Sequence, residues 1–256
     1  MNAIETYYDA VPRSAARVEE IGPFTLFVGT GAWPYYARPR LGVVHEFTPV
    51  EIETVRARQR ELGVPEAFEW VDETTPSLLP AARAAGLEVM EAPLMVLSGA
   101  VPAAVPDGVT VRTIDADDRA LPAAVVAQDR GFGGTGEGTD GRADFLRERL
   151  RAGLTRMAIA ESAEGVLAAG QHQPVGDVTE IVGVATVPEA RRRGLAGAVT
   201  AQLVADATAL VAAARRADSA ASGTAGPVVF LSAGEDAARV YARLGFERRG
   251  TACIVG

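Results

Sequence analysis

Thr179-Glu180-Ile181-Val182-Gly183-Val184-Ala185-Thr186-Val187-Pro188-Glu189-Ala190-Arg191-Arg192-Arg193-Gly194-Leu195-Ala196 is the stretch whose reading decides the fold. An apolar, β-branched run stops at Pro188, passes through three arginines and a glycine, and opens into an alanine-rich segment. There Leu195, Val199, Leu203, Val204, Leu210 and Val211 recur at helical spacing. The order is strand, cationic turn, helix N-terminus. N–H groups in a helix's first turn have no intrahelical acceptor, so a turn of small residues there can wrap a phosphate, and Gly194 and Ala196 leave room for it. Three arginines beside the positive end of a helix dipole oppose it by about 0.3 to 1 kcal/mol each. A bound polyanion resolves that conflict. A solvated helix start is the other reading of the same run.

The pattern Arg-X-X-Gly-X-Ala, from Arg191 to Ala196, resembles the acyl-CoA pyrophosphate loop of the GNAT superfamily of N-acyltransferases. A second block closes the chain: an apolar strand over 228–232, then Glu235-Asp236-Ala237-Ala238-Arg239-Val240-Tyr241-Ala242-Arg243-Leu244-Gly245-Phe246. It resembles the family's last helix, which ends in a Tyr and a Leu-Gly-Phe. The resemblance implies an α/β fold of the α+β type, a mixed central sheet flanked by helices, with acetyl-CoA as co-substrate. It sets Arg191, Arg192, Arg193, Gly194, Leu195 and Ala196 around the pyrophosphate, and the backbone of Val184, Ala185, Thr186 and Val187 along the pantetheine arm. The N–H of Val187 is then the oxyanion donor.

Acyl transfer from a thioester to an amine needs an unprotonated nucleophile, a donor for the oxyanion and a proton for the leaving thiolate. The resemblance gives the last role to Tyr241, although Ala237, Tyr241 and Leu244 on one helical face also describe a core tyrosine. Glu180 is the expected base. It stands as far before the loop arginine as the glutamate base of the histone-acetyltransferase branch, and apolar Ile181 and Val182 beside it would raise its pKa. It also reads as a glutamate at the exposed entry of a strand. His172, on a neighbouring strand, is the second candidate base or a structural histidine. The expected activity is acetyl transfer from acetyl-CoA to an amine, a small molecule or a peptide, by direct attack in a ternary complex. The competing class is a catalytically silent acyl-CoA binder.

Composition sets outer limits. The chain of 256 residues is 48% hydrophobic, enough for one large or two small cores. No apolar run is read as a membrane span, and Met1 to Glu20 lacks the basic and apolar regions of a signal peptide, so a cytoplasmic protein without membrane contact is expected. One cysteine excludes an internal disulfide, and two histidines with it make no usual structural zinc site, so no metal is expected. The net charge is −8 and every basic residue is arginine, which argues against a nucleic-acid surface and suits a cationic acceptor through long-range attraction. The all-arginine usage itself reads as the mark of a GC-rich genome.

Along the last 150 or so residues the pattern predicts a strand over 109–113, helices over 117–130 and 142–154, and strands over 157–161, 166–173 and 178–187. After the motif helix, 218–227 reads as a mobile loop and 246–255 as one strand or a cramped hairpin. Gly131-Phe132-Gly133-Gly134-Thr135-Gly136 matches a dinucleotide-binding pattern but follows a helix, so 131–141 reads as a flexible loop. In the first hundred residues, strands are expected over 24–28 and 67–71, helices over 50–62 and 76–85, and extended chain over 87–97. Trp33-Pro34-Tyr35-Tyr36 reads as packing. The segment 82–88 aligns with 241–247, which suggests a tandem arrangement: a degenerate GNAT-like copy over 1–107, a Pro-rich linker over 100–107, and a catalytic copy over 108–256. The first copy lacks both the tyrosine and the glycine loop.

Overall fold

A computed structural model describes residues 1–31, 34–100, 102–217 and 226–256. Trp33 and most of the loop expected over 218–227 lie outside the described residues. In chain order the elements are α1 (Asn2–Arg13), β1 (Ala16–Ile21), β2 (Phe24–Gly29), β3 (Ala37–Pro39), α2 (Pro49–Leu62), β4 (Phe68–Val71), α3 (Leu78–Ala84) and β5 (Met90–Leu97). Then follow β6 (Thr110–Ile114), α4 (Leu121–Gly131), α5 (Asp140–Arg151), β7 (Arg156–Ser162), β8 (Gly165–Val175) and β9 (Val178–Thr186). The chain ends with α6 (Leu195–Ala217), β10 (Val228–Ser232), α7 (Glu235–Arg243) and β11 (Phe246–Val255).

The chain divides into two compact units that interleave in sequence. The first comprises Met1–Leu94, Ser232–Glu235 and Arg248–Gly256; the second comprises Met95–Leu231 and Asp236–Glu247.

In the first unit the strands run in the order β1, β2, β3, β4, β11. β1 and β2 form a hairpin, β3 meets β4 in parallel at Ala37↔Phe68, and β4 pairs antiparallel with the end of the chain, Trp70 opposite Cys253. The side chains alternate. Phe24, Leu26, Ala37, Phe68, Trp70, Cys253 and Val255 pack with Ile52 and Val55 of α2 and Leu78 and Ala81 of α3. Between Ala37 and Pro39, Arg38 turns the other way, bonds Glu5 of α1 and lies 5.2 Å over the ring of Tyr8. The sequence reading missed α1 and β1, although Ile4, Tyr7, Tyr8 and Val11 already carry the i, i+3, i+4, i+7 spacing of a helix.

In the second unit β10, β9, β8, β7 and β6 lie side by side. β9 and β10 are parallel and the other neighbours antiparallel, so the sheet is mixed. One face carries α4 and α5, with Leu121, Val125 and Leu146 packed on Ile114, Met157, Ile159 and Ala169. The opposite face carries α6, whose Leu195, Val199, Leu203, Ala207 and Val211 are buried. By length and composition alone α6 is apolar enough to cross a membrane, which corrects the reading that no such run exists. Half of its most apolar window is buried against protein, as in a core helix.

The loop expected to be flexible after α4 is pinned by one carboxylate. Asp129 accepts the N–H of Gly136 at 2.8 Å and the guanidinium of Arg142 at 3.1 Å.

Along the chain an element order occurs twice, β3–α2–β4–α3–β5 and β9–α6–β10–α7–β11: a strand, a long helix, a parallel strand, a short helix closed by glycine, and a last strand. Gly86 after α3 and Gly245 after α7 both take the left-handed conformation (φ 77° and 91°) that ends a helix without a Cβ clash.

Candidate active site

β9 and β10 separate. Among the described residues their parallel ladder ends at Glu180↔Phe230, while β9 runs on to Thr186. Beyond that point the edge of β9 has no ladder partner in β10. Its pairing with β8 is irregular there as well: Gln171 faces Val182 and Ala169 faces Ala185, so Gly183 and Val184 together oppose Gly170. This is a β-bulge, and Gly183 takes φ 62°, a conformation that favours glycine.

At the end of β9 the chain enters the arginine turn. Among the described residues Arg192 is the one non-glycine with positive φ, at 63°, and Gly194 follows at 82°. A left-handed residue with a Cβ costs about 1 to 2 kcal/mol, and such strain gathers at functional sites. A Cβ built on Gly194 meets nothing within 4 Å, so that space is open. Arg191, Arg192, Arg193 and Gly194 are exposed, whereas Leu195 anchors the first turn of α6 in the core. Arg191 differs from the other two arginines. Its guanidinium donates to the carbonyl of Gly131 at 2.9 Å and lies 3.5 Å from that of Thr186, tying the end of α4 to the end of β9. Gly131 is required there, because a Cβ on it would stand 2.6 Å from that of Ala185.

Val184, Ala185 and Thr186 lie on β9 beyond the end of its ladder with β10. Val187 does not supply a free donor. Its N–H donates to the carbonyl of Leu167 at 2.9 Å, which corrects the expectation that it is the oxyanion donor.

His172 and Glu180 do not meet. His172 is fully buried, its Nδ1 at 2.8 Å from the Thr179 hydroxyl and its Nε2 at 2.9 Å from a carboxylate oxygen of Asp206 on α6. Side chains alternate along a strand, so Glu180, next to Thr179, points to the opposite face, the one that carries α4. His172 is therefore a core histidine and not an alternative base at the site of Glu180. Burial alone would raise the Asp206 carboxyl, but hydrogen bonds from His172 and Arg156 overcome it and hold it far below the ordinary carboxylate range. Glu180 is half-buried, across from Gln173 on β8 and Phe230 on β10.

Tyr241 lies on α7, 9% exposed, its ring edge-on to Phe246 at 6.0 Å between centroids. Burial pushes its phenol up to about 12, so it keeps its proton throughout the neutral range. One turn further, Leu244 reaches to 3.9 Å from where a Cβ of Gly197 would stand, in the first turn of α6. The closing block and the arginine turn thus meet at the N-terminal end of one helix.

Sequence reasoning missed Gln128 and Gln171. Gln128, buried on α4, donates from Nε2 to the Gly183 carbonyl at 2.7 Å and accepts Nε2 of Gln171 at 3.1 Å. A glutamine on the apolar face of a helix, amid Leu121, Ala124 and Val125, was the available signal, since a buried carboxamide must find partners.

The chain matches no family model and no curated protein. Solved structures do match its backbone. A GCN5-related N-acetyltransferase from Kribbella flavida superposes with a TM-score of 0.71 at 20% identity, over 100% of this chain and 94% of that one. A tandem GNAT protein from the clavulanic acid biosynthesis pathway gives 0.55 at 16% identity, over 91% of this chain and 78% of that one. A GCN5-related N-acetyltransferase-like protein from Streptococcus suis gives 0.55 at 13% identity, over 100% and 99%.

Proposed function

We propose that this chain, which has the GNAT fold, is an N-acetyltransferase that moves an acetyl group from acetyl-CoA to an amine by direct attack in a ternary complex. The observation that carries this reading is the separation of β9 from β10 after Glu180, leading through the Gly183 bulge into the left-handed Arg192–Gly194 turn at the start of α6. A bound acetyl-CoA would bring the thioester; the other roles belong to this chain. Arg192, Arg193 and the first N–H groups of α6, with Gly194, Leu195 and Ala196, hold the pyrophosphate, while Arg191 braces the turn from behind. The backbone of Val184, Ala185 and Thr186 lines the pantetheine arm. With Val187 engaged, the oxyanion donor is an N–H of the bulged stretch 183–185. Glu180 takes the proton of the amine, and Tyr241 supplies one to the departing thiolate.

The tandem arrangement, with a degenerate copy over 1–107 and a catalytic one over 108–256, is part of the proposal, and the start of α2 supports the reading that the first copy holds no cofactor. The start of α2 is occupied by the chain's own anion. Glu51 accepts the N–H of Thr48 at 2.9 Å and returns its own N–H to the Thr48 hydroxyl at 3.4 Å, a capping box where the second copy has the glycine turn. The acceptor is a small-molecule amine or a peptide, attracted by the net charge of −8 and not a nucleic acid, and the protein works in the cytoplasm.

Gly194→Glu tests the reading. The carboxylate strains a left-handed position and sets an anion against the phosphates, so CoA affinity by calorimetry should fall strongly while the fold persists. Unchanged affinity in the folded variant would remove the proposal.

One observation favours a silent acyl-CoA binder: the burial of Tyr241 against Phe246, which is how a core tyrosine sits. Tyr241→Phe separates the two. Turnover should drop roughly 10²- to 10⁴-fold with CoA binding retained if the hydroxyl gives the proton. Full activity makes Tyr241 a packing residue.

A further inference from the structure

A buried carboxamide is costly unless every polar atom is satisfied, and the chain places two of them, Gln128 and Gln171, side by side at the point where β9 departs from regular pairing. Gln128 is 1% exposed and Gln171 8%. Their bonds run in one direction: Gln171 Nε2 donates to Gln128 Oε1 at 3.1 Å, and Gln128 Nε2 donates to the Gly183 carbonyl at 2.7 Å. The fit is close. A Cβ on residue 183 would come within 2.8 Å of that same Nε2, so the carboxamide fills the space that only a glycine leaves.

The peptide group between Gly183 and Val184 is planar and trans, so its C=O and N–H point in opposite directions. Fixing the Gly183 carbonyl on Gln128 therefore fixes the direction of the Val184 N–H. That N–H lies in the bulge, where Gly183 and Val184 share Gly170 as the one residue opposite them on β8. We propose that Gln128, steadied by Gln171, is a positioning residue that aims the Val184 N–H at the carbonyl of the acyl group. This rests on the acyl-transfer reading above and adds to it which amide is the donor and what holds it. Neither glutamine touches the reacting atoms. A preorganised donor is effective because nothing has to turn as charge develops, and a donor free to swing loses that advantage.

Gln128→Met keeps the length of the side chain and removes both hydrogen bonds. The turnover number should fall about 10- to 100-fold, as for a misdirected oxyanion donor, while CoA, which has no acyl carbonyl, binds within about 2-fold of wild type. Gln171→Met should fall less, and the double variant should be no worse than Gln128→Met alone, because Gln171 acts through Gln128. Backbone hydrogen exchange at Val184 should quicken in Gln128→Met without acetyl-CoA present. A wild-type turnover number in Gln128→Met, equal losses of turnover and CoA affinity, or unchanged exchange at Val184 overturns the proposal and leaves the acyl-transfer reading standing. Wild-type protein that binds CoA yet acetylates no amine overturns that reading, and the proposal with it.

Discussion

Two adjacent residues show how much a single side chain's surroundings decide. Glu180 and Thr179 are neighbours, yet Thr179 joins His172 in the core below α6 while Glu180 looks to the α4 face at the place where β9 and β10 part. A base for an alkylammonium must take its proton before attack, and the rising limb of rate against pH carries that base's pKa. Glu180→Gln keeps size and polarity but accepts no proton. The turnover number at pH 7 should fall by about 10²-fold or more, with little change in the Michaelis constant, and high pH should restore part of it by deprotonating the amine in solution. A hydrazide or aromatic amine, neutral at pH 7, should be nearly indifferent. Equal depression of all acceptors would make Glu180 a structural strand residue. The proposed site was partly legible in the sequence: the arginine turn, Gly194 and Glu180 stand in a local pattern. The Gln128 and Gln171 pair, the strut made by Arg191 and the engaged N–H of Val187 join elements far apart in the chain, and no local pattern encodes such partners.

At the scale of elements, the sheet and α6 are joined by one polar cluster inside an apolar interface. Asp206 on α6 receives His172 Nε2 at 2.9 Å and both donor arms of Arg156 at 2.9 Å, and His172 in turn meets Thr179. Three strand residues and one helix residue thus fix how α6 lies along β7, β8 and β9, and with it the helix start that forms the arginine turn. Because the folded-state pKa of Asp206 is depressed, its stabilisation is present above the unfolded carboxylate value near 4 and is lost as pH falls through the lower folded value. Asp206→Asn removes the charge at every pH. It should cost about 2 to 4 kcal/mol in urea unfolding at pH 7, since it leaves Arg156 and a buried histidine without their anion, and the loss should shrink toward acid. A pH-independent loss would assign the contribution to packing. The element order itself was readable from the second unit's alternating apolar runs and turn residues. Element ends were less so: α4 begins at Leu121, four residues later than the pattern predicts, because Asp118 accepts the N–H of Ala120 and Pro122 favours the first helical turn.

For the whole molecule, a cut at 107/108 follows the sequence, whereas the chain's own contacts return Arg248–Gly256 to the first unit. β4 meets β3 in register at Ala37↔Phe68, but faces β11 along Val71↔Ala252, Trp70↔Cys253, Glu69↔Ile254 and Phe68↔Val255. Cys253 and Val255 are also part of the core over α2 and α3. Composition and periodicity read 246–255 as one strand or a cramped hairpin, and it forms one strand, but which strand it joins is a long-range choice that no local window contains. The consequence is testable. A fragment of residues 1–107 lacks the strand that covers β4. Val255 alone stabilises a core by about 1.5 to 3 kcal/mol when fully buried, and the lost ladder and Cys253 add to that, against a total of about 5 to 15 kcal/mol for a typical domain. The fragment should therefore melt broadly and at low temperature by circular dichroism, and a synthetic peptide of residues 246–256 should raise and sharpen the transition in a concentration-dependent way, since a ligand of the folded state alone shifts the midpoint by mass action. The same peptide with Cys253 and Val255 replaced by Asp should do neither. A fragment that melts cooperatively alone, and ignores the peptide, would show that the first unit stands without its borrowed strand and that the boundary at 107/108 is a true one.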